Sequence, residues 1–170
     1  MNRIKGLLSS ALPVLALLSV GTAHDADARD LQGRLGLGYN AQFSNQRELN
    51  GGVPAISGKY ALTKDLAVEG VVGLATTTPS NSVVGIKFFK NLFYENNLNF
   101  YGMLGAGLVT ANTHSGVDLL GGFGAEFFIP GLESVGLSFE VGADMTNITG
   151  SMIFRTMGAS FLDAGMRFYF

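Results

Sequence analysis

Apolar side chains recur at every second position along most of this chain, beginning at Leu31. Successive side chains of a β-strand point to opposite sides of the sheet, so this period predicts strands with one apolar face and one more polar face. Val84, Ile86 and Phe88, for example, share one face, while Lys87 lies on the other. The alternation repeats in about eight segments and leaves no room for helices. The pattern therefore predicts an all-β protein.

The connections between these segments alternate in length. The segment 63–65 is a tight polar turn. Longer polar or irregular stretches occupy four other places, namely 44–52, 76–82, 110–116 and 145–156. A further connection, 90–97, is longer than expected for the rim that carries the short turns. We therefore predict a closed up-and-down antiparallel barrel of about eight strands, with short turns at one rim and longer loops at the other.

The composition indicates which face of the barrel is apolar. Charged residues make up 14% of the chain and hydrophobic residues 47%, whereas an ordinary soluble domain has about 25% charged residues. A soluble barrel with an apolar interior would need many charges on its outside. Here the more polar face carries few charges among many glycines: Gly36, Gly38, Gly73, Gly85, Gly105, Gly107, Gly122, Gly124, Gly142 and Gly165. Because such a face suits a narrow interior, we predict a transmembrane barrel whose apolar face points outward into lipid.

The N-terminal segment predicts export from the cytoplasm. Arg3 and Lys5 precede an apolar run over 6–20, and small residues follow up to Ala23 and again up to Ala28. This order is typical of a secretory signal peptide with a cleavage site after one of the two alanines. We therefore expect a signal peptide over 1–28 and a membrane β-barrel domain over 29–170.

The last strand carries the most specific motif of the sequence. Its alternate positions Met166, Phe168 and Phe170 are apolar, and the strand ends on the last of them. In this feature the sequence resembles small outer-membrane β-barrel proteins of Gram-negative bacteria, of the OmpA membrane domain and OmpX class. The resemblance implies a location in the bacterial outer membrane and recognition of the last strand by the barrel-assembly machinery. It also implies outer-membrane lipid and lipopolysaccharide as partners, and a monomeric barrel.

Aromatic residues are expected to form belts at the two membrane interfaces. Six of them fall near the rim with the short turns: Tyr60, Phe88, Phe100, Phe127, Phe168 and Phe170. The opposite rim has mainly Tyr39 and Phe43, which the alternation places on the same outward face.

The charged residues of the inner face form two predicted groups. Reflecting the hairpin about Lys64 puts Lys59 opposite Glu69, and Lys87 lies near the same level on the next strand. The second group shares the lumen, with individual pairings that barrel shear leaves open; it consists of Arg34, Arg167, Asp163, Glu140 and Glu126. Opposite charges in so narrow an interior predict a plug of side chains, with a gated ion path as the alternative.

The composition and charge of the chain argue against several other kinds of site. The chain has no cysteine and a net charge of −2, so we expect neither a metal or cofactor site nor a nucleic-acid partner. His114 is followed by Ser115, and the resemblance extends to barrels that remove acyl chains from lipid A with a His-x-Ser pair. The spacing departs from that motif, because adjacent residues of a strand face opposite sides.

We therefore expect a small non-enzymatic barrel that contributes to envelope integrity or surface interaction. A narrow channel or transporter for small or hydrophobic solutes is the alternative, favoured by four apolar residues of the inner face: Val71, Met103, Leu120 and Phe128. A lipid A-modifying acyl hydrolase is the third candidate. The fold alone does not choose among the three.

Overall fold

Nine strand segments make up the computed structural model, which describes residues 30–41, 43, 53, 55–76, 80–156 and 163–170. They are β1 (Leu35–Asn40), β2 (Ala55–Ala61), β3 (Leu66–Ala75), β4 (Asn81–Glu95), β5 (Leu98–Ala111), β6 (His114–Ile129), β7 (Leu132–Thr146), β8 (Ile153–Thr156) and β9 (Asp163–Tyr169). The predicted signal peptide over 1–28 lies outside the described residues. Within those residues, no helix is both long and apolar enough to cross a membrane.

The strands close into a ring in which every neighbour is antiparallel. Consecutive strands from β1 to β7 pair with one another, and β9 pairs with both β7 and β1. β8 pairs with β7 over 143–146, next to the stretch 135–140 of β7 that pairs with β9. β8 and β9 are therefore two parts of one eighth strand. The predicted fold class, a closed up-and-down antiparallel barrel of eight strands, is confirmed.

The two rims differ in their connections. The lower rim carries residues 62–65, 96–97 and 130–131, and the first and last described residues lie on the same side. The predicted tight turn is present there: the hydroxyl oxygen of Thr63 accepts hydrogen bonds from the backbone N–H groups of Asp65 and Leu66. The upper rim carries 112–113 and 147–152, together with the described residues that follow β1 and β3 and precede β2 and β4.

The predicted loop at 110–116 is wrong. β5 and β6 continue through this stretch to a turn of two residues, Asn112 and Thr113, and Thr110 and Ser115 are cross-strand partners. Asn112 takes the left-handed conformation that such a turn requires, with φ of 59°. Polar residues occupy both faces of the strands near this turn, among them Thr110, His114 and Ser115, so composition does not distinguish a strand from a loop.

The longer connection predicted at 90–97 is also wrong. β4 continues to Glu95, with a bulge between Asn91 and Phe93 that shifts its register against β5. The chain then turns through two residues, of which Asn97 has φ of 65°. The bulge inserts an extra residue into the alternation, and this hides the strand from a search for period two.

The outer face of the barrel is apolar and the inner face holds the charges. Leu35, Leu37 and Tyr39 of β1 are all more than two-fifths exposed, as the alternation predicts. Leu31 and Phe43, which the same alternation places on the outer face, are instead buried inside the barrel. Both lie beyond the ends of β1, where the chain leaves the pleat and bends over a rim, so the period of the strand no longer determines where the side chain points.

Candidate functional site

Many of the buried side chains inside the barrel group into three layers. The ionic layer consists of Lys59, Glu69, Lys87, Glu126, Glu140 and Arg167. The upper apolar layer, toward the upper rim, consists of Phe43, Val53, Ala55, Val71, Val83, Val109, Ala111, Leu120 and Ile148. The lower apolar layer, toward the lower rim, consists of Leu31, Ala61, Phe89, Tyr101, Met103, Phe128 and Tyr169.

Arg167 on β9 connects the carboxylates of the ionic layer. Its Nη2 lies 2.6 Å from Oε1 of Glu69, and its Nη1 lies 3.3 Å from Oε1 of Glu126. Nη1 also donates to the hydroxyl of Ser138 at 3.1 Å. The planar guanidinium can serve several acceptors at once, whereas an ammonium group presents a compact charge. Arg167 therefore joins carboxylates from β3 and β6 that would otherwise face each other across the lumen.

The two lysines complete the charge balance. Nζ of Lys87 lies 2.8 Å from Oε2 of Glu140 and 3.3 Å from Oε2 of Glu69. Nζ of Lys59 lies 2.8 Å from Oε2 of Glu126. The layer thus holds three cations and three carboxylates, all almost fully buried. Charges removed from water require this degree of pairing, because an unpaired ion in a low-dielectric interior is costly.

Aromatic rings of the lower apolar layer form one side of the ionic layer. Nζ of Lys59 lies 4.5 Å from the centroid of the Phe89 ring and 4.9 Å from that of Tyr101. The two rings contact each other edge to face, with centroids 5.2 Å apart. Cation–π attraction therefore adds to the ion pair that Lys59 makes with Glu126.

Neutral donors add further hydrogen bonds to the carboxylates of the ionic layer. The Tyr101 hydroxyl donates to Oε1 of Glu140 at 2.8 Å, and the Tyr169 hydroxyl donates to Oε1 of Glu126 at 2.7 Å. Nδ2 of Asn40 donates to Oε2 of Glu140 at 3.3 Å. Sequence reasoning missed both tyrosines, although each shares the parity of a polar inner-face residue in its strand. That parity is the signal that could have identified them.

The structure combines the two predicted charge groups into one network. Lys59 and Glu69 are direct cross-strand partners, and so are Glu69 and Lys87. The Lys59 ammonium, however, forms its ion pair across the lumen with Glu126. The lumen is so narrow that long side chains reach strands that are not adjacent in the sheet.

Two members of the second predicted group are placed differently. Arg34 is half-buried near the lower rim, and its Nη2 donates to the backbone carbonyl of Tyr169 at 3.1 Å. The backbone of Asp163 pairs with Glu140, and its side chain lies outside the described part of the chain.

A further, partly buried ion pair lies in the upper part of the barrel. Nε of Arg155 on β8 lies 2.8 Å from Oδ2 of Asp144 on β7, and the two residues are cross-strand partners. Sequence reasoning missed this pair because Arg155 falls in the stretch 145–156, which was predicted to be a loop, and the side chains of a loop do not alternate between two faces.

A small cavity opens beneath the ionic layer. Its volume is about 10 Å³, about that of one water, and its lining includes Lys59, Asn99 and Glu126. Asn99 is almost fully buried, and its Oδ1 has no hydrogen-bond partner among the described residues. A polar recess of this size is suited to a single water molecule that hydrogen-bonds to Asn99.

His114 and Ser115, the residues of the third candidate function, are neighbours on β6, and strand geometry directs adjacent side chains to opposite sides. His114 is exposed at the upper end of β6, and the hydroxyl oxygen of Ser115 lies 3.0 Å from that of Thr110. Asp118 and Glu126, further along β6, are buried in the lumen. In the same described part of the chain, no three acidic or histidine side chains are grouped as a metal site would require.

Comparisons with known proteins identify the fold. No protein-family model and no curated protein matches the chain. Among solved structures, the chain is similar to the N-terminal β-barrel domain of OprF from Pseudomonas aeruginosa, with a TM-score of 0.57 and 12% identity, over 82% of this chain and 98% of that one. It is also similar to the outer membrane protein Ail from Yersinia pestis, with a TM-score of 0.42 and 16% identity, over 79% of this chain and 97% of that one. The chain therefore has the fold of a small eight-stranded β-barrel of the kind formed by the N-terminal domain of OprF.

Proposed function

We propose that this protein is a small outer-membrane barrel of a Gram-negative bacterium, with its lower rim in the periplasm. The observation that carries the proposal is the distribution of polarity: the ion pairs are buried inside, while large apolar side chains are exposed on the outside. In hydrocarbon, every strand must have its backbone paired, and a closed ring satisfies that requirement. Short connections at the lower rim agree with the periplasmic turns of such barrels.

The last strand supports the same proposal. Met166 and Phe168 of β9, and Phe170 directly after it, are exposed on the outer face. An apolar outward-facing strand end suits recognition by the barrel-assembly machinery during insertion. Outer-membrane lipid and lipopolysaccharide would then cover the outer face of the mature barrel, which we propose to be a monomer.

Within that membrane, we propose a barrel with a plugged lumen that acts without enzymatic chemistry, in envelope integrity or surface interaction. The balanced ionic layer supports this role, because its six charged side chains are almost fully buried and satisfy one another. A narrow channel is the second candidate. The water-sized recess beside Lys59 favours it, since it brings solvent-accessible space next to the ionic layer from the lower rim.

Fractionation and conductance together test the proposal. The full-length chain, expressed in a Gram-negative host, should collect in the outer-membrane fraction and dissolve only with detergent. Reconstituted into planar lipid bilayers, the wild-type barrel should show no large, stable conductance. A folded monomer that stays soluble in plain buffer would overturn the membrane location, and steady conductance of the wild type would favour the channel over the plug.

Acyl hydrolysis has a separate test. Because Ser115 contacts Thr110 and adjacent strand residues point to opposite sides, we expect expression of the protein to leave the mass spectrum of lipid A unchanged. The His114→Ala variant should give the same spectrum. Loss of an acyl chain that depends on His114 would instead establish the hydrolase.

A further inference from the structure

The pairing of β1 with β9 closes the barrel, and we call it the closing seam. It joins residues 36–40 to residues 165–169, and the two strands lie at opposite ends of the described chain, with no turn between them. In a hairpin, the turn fixes the register of the two strands. The closing seam lacks that constraint, so its register must be set by contacts of its side chains.

The sequence of β1 specifies this register only weakly. Gly36 and Gly38 follow each other on its inner face, and Leu35 and Leu37 follow each other on its outer face. If β9 moved two residues toward the lower rim, Arg167 would lie opposite Gly36 instead of Gly38. It would again face a glycine, and the outward residues of β9 would face leucines. Glycine-rich strands leave the register poorly defined for this reason.

Arg167 spans the closing seam with its side chain. The residue lies on β9, whereas Glu69 lies on β3, which is joined to β1 through β2. Nη2 and Nε of Arg167 lie 2.6 Å and 2.9 Å from Oε1 of Glu69. A shift of two residues would move Arg167 about 7 Å relative to Glu69, more than twice the length of these hydrogen bonds. Such a shift would leave both charges poorly paired in a buried site, which is costly.

Other contacts of the ionic layer depend on the same register. Lys59 of β2 forms an ion pair with Glu126 of β6. Lys87 of β4 and Asn40 of β1 both contact Glu140 of β7. In each contact, one residue lies on the β1 side of the closing seam and the other on the β9 side. Because the register at the seam sets the stagger of the whole closed barrel, a shift would displace these partners as well.

We propose that the ionic layer sets the register in which the last strand closes on the first. Arg167 is the positioning residue, since it contacts Glu69 on one side of the closing seam and Glu126 on the other. The β1 side supplies two lysines and one glutamate, and the β9 side supplies two glutamates and one arginine. The two sides therefore neutralise each other only when they are aligned. The inference concerns closure of the barrel and applies to a plugged lumen and to a narrow channel alike.

Disulfide cross-linking measures the register directly, because the chain contains no cysteine. Leu37→Cys with Phe168→Cys places thiols on cross-strand partners of the observed register. Leu35→Cys with Phe168→Cys reports the register shifted by two residues. Direct partners lie about 5 Å apart and diagonal neighbours about 7 to 8 Å apart, and the second separation is too long for a disulfide. Each pair is oxidised with copper phenanthroline in barrels folded into lipid vesicles.

The wild-type background should cross-link mainly in the observed register. Arg167→Met should raise the ratio of shifted to observed cross-link roughly tenfold or more, because it removes one partner of a buried ion pair that holds the seam. Arg167→Met combined with Glu69→Gln should raise the ratio as well, although its charges are balanced, since it also lacks the contact across the seam. The combined variant decides the matter if Arg167→Met alone fails to fold.

Asp144→Asn is the matched control. It breaks an ion pair with Arg155, but both strands of that pair, β7 and β8, lie on the β9 side of the closing seam. This variant should lower the urea midpoint and leave the cross-linking ratio unchanged. A second control pairs Ile56→Cys with Val72→Cys, cross-strand partners in the hairpin of β2 and β3. Its disulfide should form equally in every background, because a tight turn fixes that register.

Two results would overturn the inference. If the folded Arg167→Met variant and its combination with Glu69→Gln kept the wild-type ratio, other contacts of the closing seam would set the register. If Asp144→Asn raised the ratio as much as they do, the register would follow the overall stability of the barrel and not the ionic layer. The mobility of the folded form on unheated gels confirms that each variant has folded before it is oxidised.

Discussion

Replacing Arg167 by methionine should destabilise the folded barrel by about 3 to 5 kcal/mol, the usual cost of removing one partner from a buried ion pair. The side chain is fully buried and lies against both Glu69 and Glu126. Its loss would leave three carboxylates with two lysines in the ionic layer. Methionine fills much of the same volume, so the effect would come from charge and hydrogen bonding more than from a cavity. Urea unfolding of the barrel in lipid vesicles measures the change.

Two further variants separate charge balance from general damage. Adding Glu69→Gln to the Arg167→Met variant restores two cations and two carboxylates, and should recover about 1 to 3 kcal/mol of the loss. Lys64→Met removes one positive charge at the lower rim, where the residue is exposed, and should cost less than about 1 kcal/mol. An Arg167→Met barrel as stable as the wild type, or one that Glu69→Gln destabilises further, would contradict a charge-balanced ionic layer.

Local features of the ionic layer could be predicted because a tight turn fixes the register of its hairpin. The turn at 63–65 sets β2 against β3, and it brings Lys59 and Glu69 opposite each other. Alternation then decides the face of each residue as long as the strand keeps its pleat. Both steps need only the neighbouring sequence, which is why the fold and the polar interior could be predicted.

Contacts across the lumen could not be predicted in the same way. Lys59 and Glu126 are 67 residues apart and lie on strands that are not neighbours in the sheet. Their approach depends on the stagger and tilt of the closed barrel, and a single sequence does not specify either quantity. The Phe43 ring packs against Gly85 and Gly107, where a Cβ atom would collide with it. These two glycines lie side by side only once β4 and β5 have paired.

The glycines of the inner face also show which features the sequence predicts and which depend on the closed barrel. Their number indicates a narrow lumen, but their separate roles appear only in the folded barrel. Gly124, for example, accommodates the Tyr101 ring, since a Cβ atom there would lie 2.6 Å from it. Gly38 instead allows β1 and β9 to approach each other closely.

Gly38→Ala should cost more than about 4 kcal/mol or prevent the barrel from closing, because the new methyl group has no space. Gly38 of β1 pairs with Arg167 of β9, at the seam that joins the first and last strands. A Cβ atom there would overlap the backbone carbonyl oxygen of Met166 and lie 2.7 Å from Cα of Arg167. Backbone atoms cannot move aside as a flexible side chain can. The fraction of barrel that shows the mobility of the folded form on unheated gels, and its urea midpoint in vesicles, measure the effect.

Gly70→Ala is the matched control for this seam. Gly70 lies in β3 on the exposed outer face, and no atom lies within 4 Å of the position its Cβ would take. Because glycine within a strand loses more conformational entropy on folding than alanine, Gly70→Ala should stabilise the barrel by about 0.5 to 1 kcal/mol. Both variants make the same chemical change, so the difference between them isolates the close approach of β1 and β9. If the two variants had equal stability, the close approach of β1 and β9 would not be what requires glycine at position 38.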